Sequence, residues 1–317
     1  MATIVITGGT GLIGKALSKA LLADGHSIII LTRNVSNALS SSPIEGLRYA
    51  AWDVEKKWID ADAISQADYI IHLAGANVAD GRWTVKRKWE IQNSRIQSGE
   101  TLVQALRTTP NKVKKVIAAS AIGWYGPDKT IPNPTPFVET DKVDLSYLGE
   151  TCLRWENSLE GIKDLQIKKV TLRIGIVLTP AGGALKEFLK PLQYGIATIM
   201  GNGKQVVSWI HIEDLISLIK YSIANDTLEG VYNAVSPNPV TNENLVKTMA
   251  GLPFKNMLKK FSIVIKVPAI LLKIGLGEMS VEVLKSATVS SAKIQSTGFN
   301  FKYDTIKTAL ASFINFE

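Results

Sequence analysis

The chain has 317 residues, of which 46% are apolar, and a formal net charge of +8. This length allows one large domain or two modest ones, and the apolar content is enough for a full core. The single cysteine, Cys152, excludes an internal disulfide framework and is typical of a reducing compartment, so we expect a cytoplasmic protein. The positive charge is spread without a nucleic-acid motif, so nucleic acid is not an expected partner. An anionic cofactor would suit the charge.

The first predicted element is a short apolar strand that runs into a glycine loop and then into a helix. The strand covers Ile4–Thr7, and the loop contains Gly8, Gly11 and Gly14. This spacing predicts a dinucleotide site, because the glycines allow a tight turn, a close approach to pyrophosphate and close packing of helix on strand. The predicted cofactor contacts in this segment are Gly8, Thr10, Gly11, Leu12, Ile13 and Gly14. The alternative is a glycine turn without a ligand. Because the strand starts at once, we expect no secretory leader.

The end of the second strand predicts which dinucleotide is bound. The apolar run His26–Leu31 ends in Thr32, Arg33 and Asn34. An NAD site usually has an acid here that binds the ribose 2′-hydroxyl, and this sequence has none. Arg33 instead offers a fork of donors that suits a 2′-phosphate. We therefore predict NADP(H), with Thr32 and Arg33 in contact with it; the alternative is a surface arginine at a strand end.

Apolar strands alternate with helical patterns through the first half of the chain. The predicted strands are Ile4–Thr7, Ser27–Leu31, Leu47–Trp52, Tyr69–Leu73, Lys115–Ser120 and Lys169–Val177. This alternation predicts an α/β fold with a doubly wound parallel sheet of the Rossmann type. Ligands of such sheets bind beyond the carboxyl ends of the strands, so we expect Asp53, Leu73, Ala74, Gly75 and Val177 at the cofactor. For Asp53, a simple strand-end cap is an equal alternative.

The pattern loosens after residue 177. The predicted elements here are a helix over Gly182–Tyr194, a strand over Val206–Ile210, a helix over Glu213–Ala224 and a strand over Val231–Val235. The tail, from about Thr241, is predicted to be mostly helical. The expected plan is an NADP-binding domain over residues 1–240, with a lobe insertion at about 178–205, and a smaller C-terminal substrate-capping lobe over 241–317.

The most apolar late stretch is Phe261–Met279, which contains Lys266, Pro268 and Lys273. It is too broken for a membrane-spanning helix, which needs about 20 mostly apolar residues. An amphipathic helix that lies on a membrane is one interpretation, and a packed helical subdomain is the preferred one. We therefore expect no membrane partner and a monomer or homodimer that acts on a small molecule.

Several motifs resemble those of the extended short-chain dehydrogenase/reductases. These motifs are Thr7–Gly14, His72–Gly75 and Trp209–Leu215. More narrowly, the chain resembles an atypical branch that is often labelled nucleoside-diphosphate-sugar epimerase and carries a C-terminal domain of unknown function. The segments of this closer resemblance are Gly81–Thr84, Ser94–Ile96, Ser120–Gly126, Ser208–His211, Ser236–Val240, Leu276–Glu278 and Gly298–Phe301. The resemblance covers nearly the whole chain. It implies an NADP-dependent oxidoreductase or epimerase, for which a nucleotide sugar is one candidate substrate.

The resemblance also implies a catalytic tyrosine, a lysine four residues later, and a serine or threonine that polarises the substrate. A free phenol has a pKa near ~10, so an adjacent cation is needed to make its anion accessible. Tyr147 opens a predicted helix and occupies the catalytic position, which leaves Thr151 at the lysine position. Tyr125 and Lys129 match the same spacing, but Pro127 between them opposes a continuous helix.

Three further residues follow from the resemblance. Ser120 is the predicted substrate-polarising residue, and Ala121 is the alternative because the family spacing differs by one residue. Arg95 lies where the superfamily often has an asparagine, and we predict that Arg95 and Glu90 contact cofactor phosphate or an anionic substrate. The alternative is a surface salt bridge. The three histidines have no metal-ligand spacing, so no metal is predicted. Because Thr151 cannot carry charge, a non-catalytic NADP(H)-binding sensor stays as the alternative function.

Overall fold

The structure is a computed structural model, and it describes residues 1–35, 44–254 and 262–315. The strands are β1 (Thr3–Thr7), β2 (Ser27–Thr32), β3 (Leu47–Asp53), β4 (Trp58–Ile59), β5 (Tyr69–His72), β6 (Lys115–Ala121), β7 (Lys168–Ile174), β8 (Ile176–Leu178), β9 (Ile196–Met200), β10 (Val206–Val207), β11 (Trp209–His211), β12 (Gly230–Ala234), β13 (Val240–Thr241) and β14 (Ile263–Val267). The α-helices are α1 (Leu12–Ala23), α2 (Ala61–Gln66), α3 (Val85–Thr108), α4 (Tyr147–Asn157), α5 (Gly183–Leu192), α6 (Ile212–Ala224), α7 (Asn242–Ala250), α8 (Ala269–Leu276), α9 (Ser280–Leu284), α10 (Ala292–Ser296) and α11 (Ile306–Ala311). Short 3-10 turns cover Ile122–Trp124, Glu160–Leu165 and Gly277–Met279.

The predicted doubly wound parallel sheet is confirmed. Among the described residues, eight strands form one sheet in the order β12-β7-β6-β5-β1-β2-β3-β4. The paired strands run parallel, except that β4 is antiparallel to β3. The first strand lies between β2 and β5, so the strand order reverses beside β1. Ligands of open α/β sheets bind at the carboxyl edge of such a reversal.

Helices cover both faces of this sheet. Ile4 and Ile6 pack in one core with residues of α1 and α6, while Val5 packs in a second core with residues of α2 and α3. All three β1 side chains are fully buried. A parallel strand covered on both faces should be continuously apolar, which is why the sequence shows this strand so clearly.

Two predicted strands are interrupted at the point where their backbones meet, at Gly175 and Ser208. The predicted strand Lys169–Val177 breaks at Gly175, where the chain changes partners. The Gly175 amide donates to Ala234 (3.1 Å), whereas the Ile176 amide donates to Ser208 (2.9 Å). A Cβ on Gly175 would lie 2.6 Å from the Ser208 carbonyl oxygen, so only glycine permits this crossing. The strand predicted over Val206–Ile210 breaks at the same Ser208.

The later part of the chain forms a smaller core around α5, β9, α7 and α11, which includes Leu185, Ala197, Met249 and Leu310. The prediction of a mostly helical tail missed β14, which pairs in parallel with β9. The prediction that Phe261–Met279 packs as a helical subdomain is wrong for its described part, because residues 263–267 form a strand and α8 has no buried residue. Phe261 itself lies outside the described residues. No described helix is both long and apolar enough to cross a membrane.

Candidate active site

The loop between β1 and α1 is closely packed against the backbone around it. Gly8 has a φ of +69°, a conformation that favours glycine. A Cβ on Gly8 would lie 2.8 Å from the carbonyl carbon of Leu73, and one on Gly14 would lie 2.3 Å from the Gly8 carbonyl oxygen. These distances leave no room for a side chain, so α1 begins directly against the loop and the end of β5.

The N-terminus of α1 has no side-chain cap. Gly11 is its N-cap residue, whereas the N-cap residues of α3, α4 and α7 are Thr84, Ser146 and Thr241, whose hydroxyls accept a bond from the first turn. Thr10, Gly11 and Leu12 are also exposed. Uncapped amides and the positive end of the helix dipole suit an anion that approaches this loop.

A buried histidine holds the ends of β1 and β5 together. Thr7 Oγ1 accepts bonds from the amides of Leu73 (3.1 Å) and Ala74 (3.2 Å) and lies 2.9 Å from His72 Nδ1. The Thr7 hydroxyl therefore donates to Nδ1, which leaves the His72 proton on Nε2, 3.3 Å from the Ser98 hydroxyl. Burial lowers the pKa of His72 to about 4, so the ring is neutral and structural.

Arg95 fixes the segment that follows β5. Its Nη1 donates to the carbonyl oxygens of Ala76 (2.9 Å) and Ile91 (2.8 Å), and its guanidinium carbon lies 4.8 Å from the Trp155 ring centre. A Cβ on Gly75 would lie 3.0 Å from Arg95 Cζ, so Arg95 borders the predicted cofactor segment directly. Glu90 instead binds Arg87 at 3.1 Å, which matches the salt-bridge alternative for that residue.

The other predicted cofactor residues also end strands at this edge or lie close to it. Arg33 is exposed immediately after β2, and Thr32 is half-buried. The Asp53 carboxylate accepts the amides of residues 55 and 56 and pairs with Lys56 at 3.2 Å, which matches the strand-end cap. Val177 lies on β8, which is hydrogen-bonded to β11 rather than to the main sheet.

Ser120 lies on a row of polar side chains that crosses three strands. It pairs in register with Arg173 on β7, which pairs in register with Asn233 on β12. The Ser120 hydroxyl donates to Glu156 Oε1 at 2.7 Å. Arg173 binds the same carboxylate through Nε (2.9 Å) and Nη2 (3.0 Å). The Arg173 and Glu156 side chains are 3% and 11% exposed, so this is a buried ion pair, and the Ser120 hydroxyl is bonded to it.

The same row holds Tyr125, which is fully buried. Its hydroxyl donates to Asn233 at 2.7 Å and accepts a bond from Arg173 at 3.2 Å. Burial raises the pKa of Tyr125 to about 12. Tyr125 follows the 3-10 turn and lies in no helix with Lys129, as Pro127 between them predicts. Tyr125 is therefore part of the core rather than a proton donor to a ligand.

Tyr147 starts α4 and faces the start of α3. Its hydroxyl donates to the Lys88 carbonyl at 2.9 Å, and its ring packs edge-on against Trp83 at 5.2 Å. Burial raises the pKa of Tyr147, whereas the Thr151 hydroxyl and the charges of Arg95 and Arg87 lower it. Arginines thus supply positive charge close to Tyr147, although residue 151 has none.

The Ser120 and Tyr147 hydroxyls point to different acceptors, so the structure does not join them in one relay. Sequence reasoning also missed the Arg173–Glu156 pair. The available signal was an arginine inside an otherwise apolar strand, since a buried arginine needs a carboxylate partner. Among residues 1–35, 44–254 and 262–315, no group of three acidic, histidine or cysteine side chains could hold a metal ion.

Comparison with known proteins gives the family. A model of the NAD-dependent epimerase/dehydratase family matches residues 4–234, and a model of a domain of unknown function, DUF1731, matches residues 267–313. This chain belongs to the NAD-dependent epimerase/dehydratase family. The predicted resemblance to extended short-chain dehydrogenase/reductases with that C-terminal domain is thereby confirmed.

Related proteins match over nearly the whole chain. The chain is 32% identical to the chloroplastic epimerase family protein SDR39U1 homolog of Arabidopsis thaliana, across 97% of this chain and 85% of that protein. It is 31% identical to the epimerase family protein YfhF of Bacillus subtilis, across 98% of this chain and 97% of that protein. The fold matches the crystal structure of human SDR39U1 with NADPH, with a TM-score of 0.83, 22% identity and coverage of 99% and 100% of the two chains.

The close approach at Gly14 predicts a specific loss of stability. Gly14→Ala should lower the free energy of unfolding by about 1–3 kcal/mol, because its methyl group would overlap the Gly8 carbonyl. Gly275→Ala in α8 is the matched control, since a Cβ there meets no described atom within 4 Å. That control should be neutral or stabilising by about 0.5–1 kcal/mol. Chemical denaturation measures both, and equal effects would contradict the packing described.

The buried ion pair predicts a contrast between two glutamates of α4. Glu156→Gln should cost about 3–5 kcal/mol of unfolding free energy, because Arg173 would stay buried without a carboxylate. Glu150→Gln removes an exposed pair with Arg154 and should cost about 0.5 kcal/mol or less. Denaturant titration of both variants tests this. A loss at Glu156 no larger than that at Glu150 would show that the pair does not hold β7 to α4.

Proposed function

We propose that this chain is an NADP(H)-dependent oxidoreductase or epimerase that acts on a small substrate. The observation that carries the proposal is the uncapped, glycine-lined start of α1 at the reversal of strand order. A side chain at Gly8 or Gly14 would collide with backbone, and this close packing keeps the first amides of α1 at the carboxyl edge of the sheet. The residues present therefore fit a dinucleotide.

Most of the predicted cofactor residues have a role in this proposal; Asp53 and Glu90, which pair with Lys56 and Arg87, have none. The loop contacts, Gly8, Thr10, Gly11, Leu12, Ile13 and Gly14, would hold the pyrophosphate. Thr32 and Arg33 would bind the 2′-phosphate, and the exposed position of Arg33 leaves its fork of donors accessible. Leu73, Ala74, Gly75 and Val177 would line the cleft, with Arg95 behind Gly75. NADP(H), when bound, supplies or accepts hydride.

The chain's own residues must move the proton. Tyr147 is the proposed general acid or base, and the positive charge that favours its anion comes from Arg95 and Arg87 rather than from residue 151. Ser120 would polarise a substrate carbonyl. To do so, its hydroxyl has to leave Glu156 or share its proton between Glu156 and the substrate.

The substrate pocket is expected where the C-terminal part meets α3. Arg82 donates to the Ile274 carbonyl, and Lys88 binds Glu278 at 2.9 Å. The C-terminal part therefore lies against residues 82–88, which include the Lys88 carbonyl that accepts the Tyr147 bond. The family name and solved relatives point to nucleotide sugars as one candidate class. One such structure is a UDP-N-acetylglucosamine 4-epimerase of Methanobrevibacter ruminantium with UDP-N-acetylmuramic acid, at 19% identity and a TM-score of 0.77.

A specific observation favours a second candidate, an NADP(H)-binding sensor without catalysis. The Ser120 and Tyr147 hydroxyls are each bonded to a protein acceptor, and Thr151 donates its hydroxyl to the Tyr147 carbonyl at 2.7 Å. A site with these bonds intact would bind cofactor without moving a proton.

Arg33 should decide the cofactor preference. Wild type should bind NADP(H) about tenfold or more tightly than NAD(H), because a charge-assisted bond to the 2′-phosphate is worth roughly 1.4 kcal/mol or more. Arg33→Ala should remove this preference, whereas Arg107→Ala, at an exposed arginine of α3, should keep it. Fluorescence titration with both reduced cofactors measures this, and equal wild-type affinities would contradict the assignment.

Substitutions of Tyr147 and Tyr125 should have different effects, one on catalysis and the other on stability. If the chain turns over a substrate, Tyr147→Phe should reduce turnover by ~10²–10⁴-fold with little loss of stability. Tyr125→Phe should mainly lower stability, because Asn233 and Arg173 lose a buried partner. Arg95→Met removes a charge that lowers the pKa of Tyr147, so it should shift the rise of activity to higher pH. Unchanged turnover in Tyr147→Phe would mean that a group other than Tyr147 moves the proton.

A further inference from the structure

The C-terminal part of the chain exposes an apolar surface that nothing in the described structure covers. We define it as the α8 face, formed by the outer sides of β14 and α8. On β14, Ile263, Val264 and Ile265 are 71%, 41% and 43% exposed. On α8, Ile270, Leu271 and Ile274 are 63%, 56% and 65% exposed. These six exposed apolar side chains lie within residues 263–274, and exposed apolar residues grouped in this way indicate a binding surface.

The outward side of α8 is as apolar as its inward side. Ala269, Leu272 and Leu276 are partly buried, at the spacing of one helix face. Ile270 and Ile274, one turn apart, project to the other side together with Leu271. Apart from Lys273, α8 is apolar all round, and such a helix is normally buried, so α8 has the composition of a helix that is covered on both sides.

Both elements are held in place by the rest of the protein. The β14 strand pairs with β9 over five residue pairs. Arg82 donates to the Ile274 carbonyl, and Lys88 binds Glu278 immediately after α8. The face is therefore part of the folded molecule.

The charges near the α8 face indicate which kind of partner it binds. Lys266 and Lys273 are exposed on β14 and α8, and residues 262–277 contain no Asp or Glu. Two neighbouring acids are already neutralised, since Glu243 binds Lys247 at 2.8 Å and Glu278 binds Lys88. The chain as a whole carries a net charge of +8. Apolar side chains beside Lys266 and Lys273, with the neighbouring carboxylates paired to other lysines, complement an anionic lipid surface.

A second copy of the chain complements the face poorly. Two α8 faces in contact would bring lysines together while offering no carboxylate of their own, and like charges in a desolvated interface are unfavourable. Spanning the bilayer is also excluded for this helix, because its eight residues reach about 12 Å.

We infer that β14 and α8 dock this protein on the surface of an anionic lipid bilayer. The aliphatic side chains of α8 would enter the interface between headgroups and acyl chains, and Lys266 and Lys273 would contact lipid phosphate. This combination of lysines and apolar area is typical of a peripheral, reversible association with a membrane. It does not depend on the proposed redox chemistry, because it uses none of the side chains proposed to bind cofactor or to move the proton.

Vesicle flotation of the full chain tests this inference. The vesicles contain either phosphatidylcholine alone or equal parts of phosphatidylcholine and phosphatidylglycerol. Wild type should float with the anionic vesicles at low salt and much less with the neutral ones. Binding should weaken at high salt, because the screening length falls from about 10 Å at 0.1 M to about 3 Å at 1 M.

Two variants and a control locate the binding surface. The triple variant Ile270→Ser, Leu271→Ser, Ile274→Ser should lower the partition coefficient on anionic vesicles at least about tenfold, because it removes the inserted apolar area. Lys266→Glu with Lys273→Glu should reduce binding to anionic vesicles selectively. Leu145→Ser is the control, since Leu145 is 95% exposed outside the face and should not affect binding.

Three outcomes would overturn the inference. The first is that wild type does not bind anionic vesicles at low salt. The second is that the triple variant binds these vesicles as well as wild type does. The third is that light scattering shows a dimer for wild type and a monomer for the triple variant, while wild type binds no vesicles. That result would assign the face to a second copy of the chain. Circular dichroism confirms that each variant is folded.

Discussion

The contact between Gly14 and the Gly8 carbonyl is the constraint on which the rest of the site depends. Because no Cβ stands between them, the first turn of α1 lies against the end of β1 and beside Leu73 at the end of β5. The helix dipole and its uncapped amides therefore meet the sheet where the strand order reverses. The buried hydrogen bond between Thr7 and His72 joins the ends of the same two strands, β1 and β5.

The sequence was sufficient for seven of the eight strands of the main sheet because their signals are local, whereas the two-residue β4 was not predicted. Apolar runs such as Tyr69–Leu73 and the glycine spacing after β1 need no knowledge of distant residues. The missed features depend on distant partners. The break at Gly175 is caused by the Ser208 carbonyl, and the environment of Ser120 is set by Glu156, which lies on a helix, and by the strand register that places Arg173 beside it. Hydropathy alone also could not show that α8 lies on the surface, because buried and bare apolar helices have the same composition.

The candidate site combines a fitted cofactor loop with an altered proton-transfer group. In the proposed assignment Tyr147 takes the place of the family tyrosine and Thr151 stands at the lysine position, with its hydroxyl bonded to the Tyr147 carbonyl. Positive charge reaches Tyr147 from Arg95 and Arg87 on α3 instead. Arg95 also supports the backbone after β5, so the proposed cofactor cleft and the acidity of the Tyr147 phenol depend on the same side chain. This coupling distinguishes the site from one built on a Tyr–Lys pair.

The most direct test of the central claim is a crystal structure of the chain with NADP⁺. The account predicts the pyrophosphate at the first turn of α1, the 2′-phosphate in contact with Arg33, and the nicotinamide bordered by Leu73–Gly75 and Gly175–Val177. A cofactor at the opposite edge of the sheet, or a 2′-phosphate away from Arg33, would contradict it.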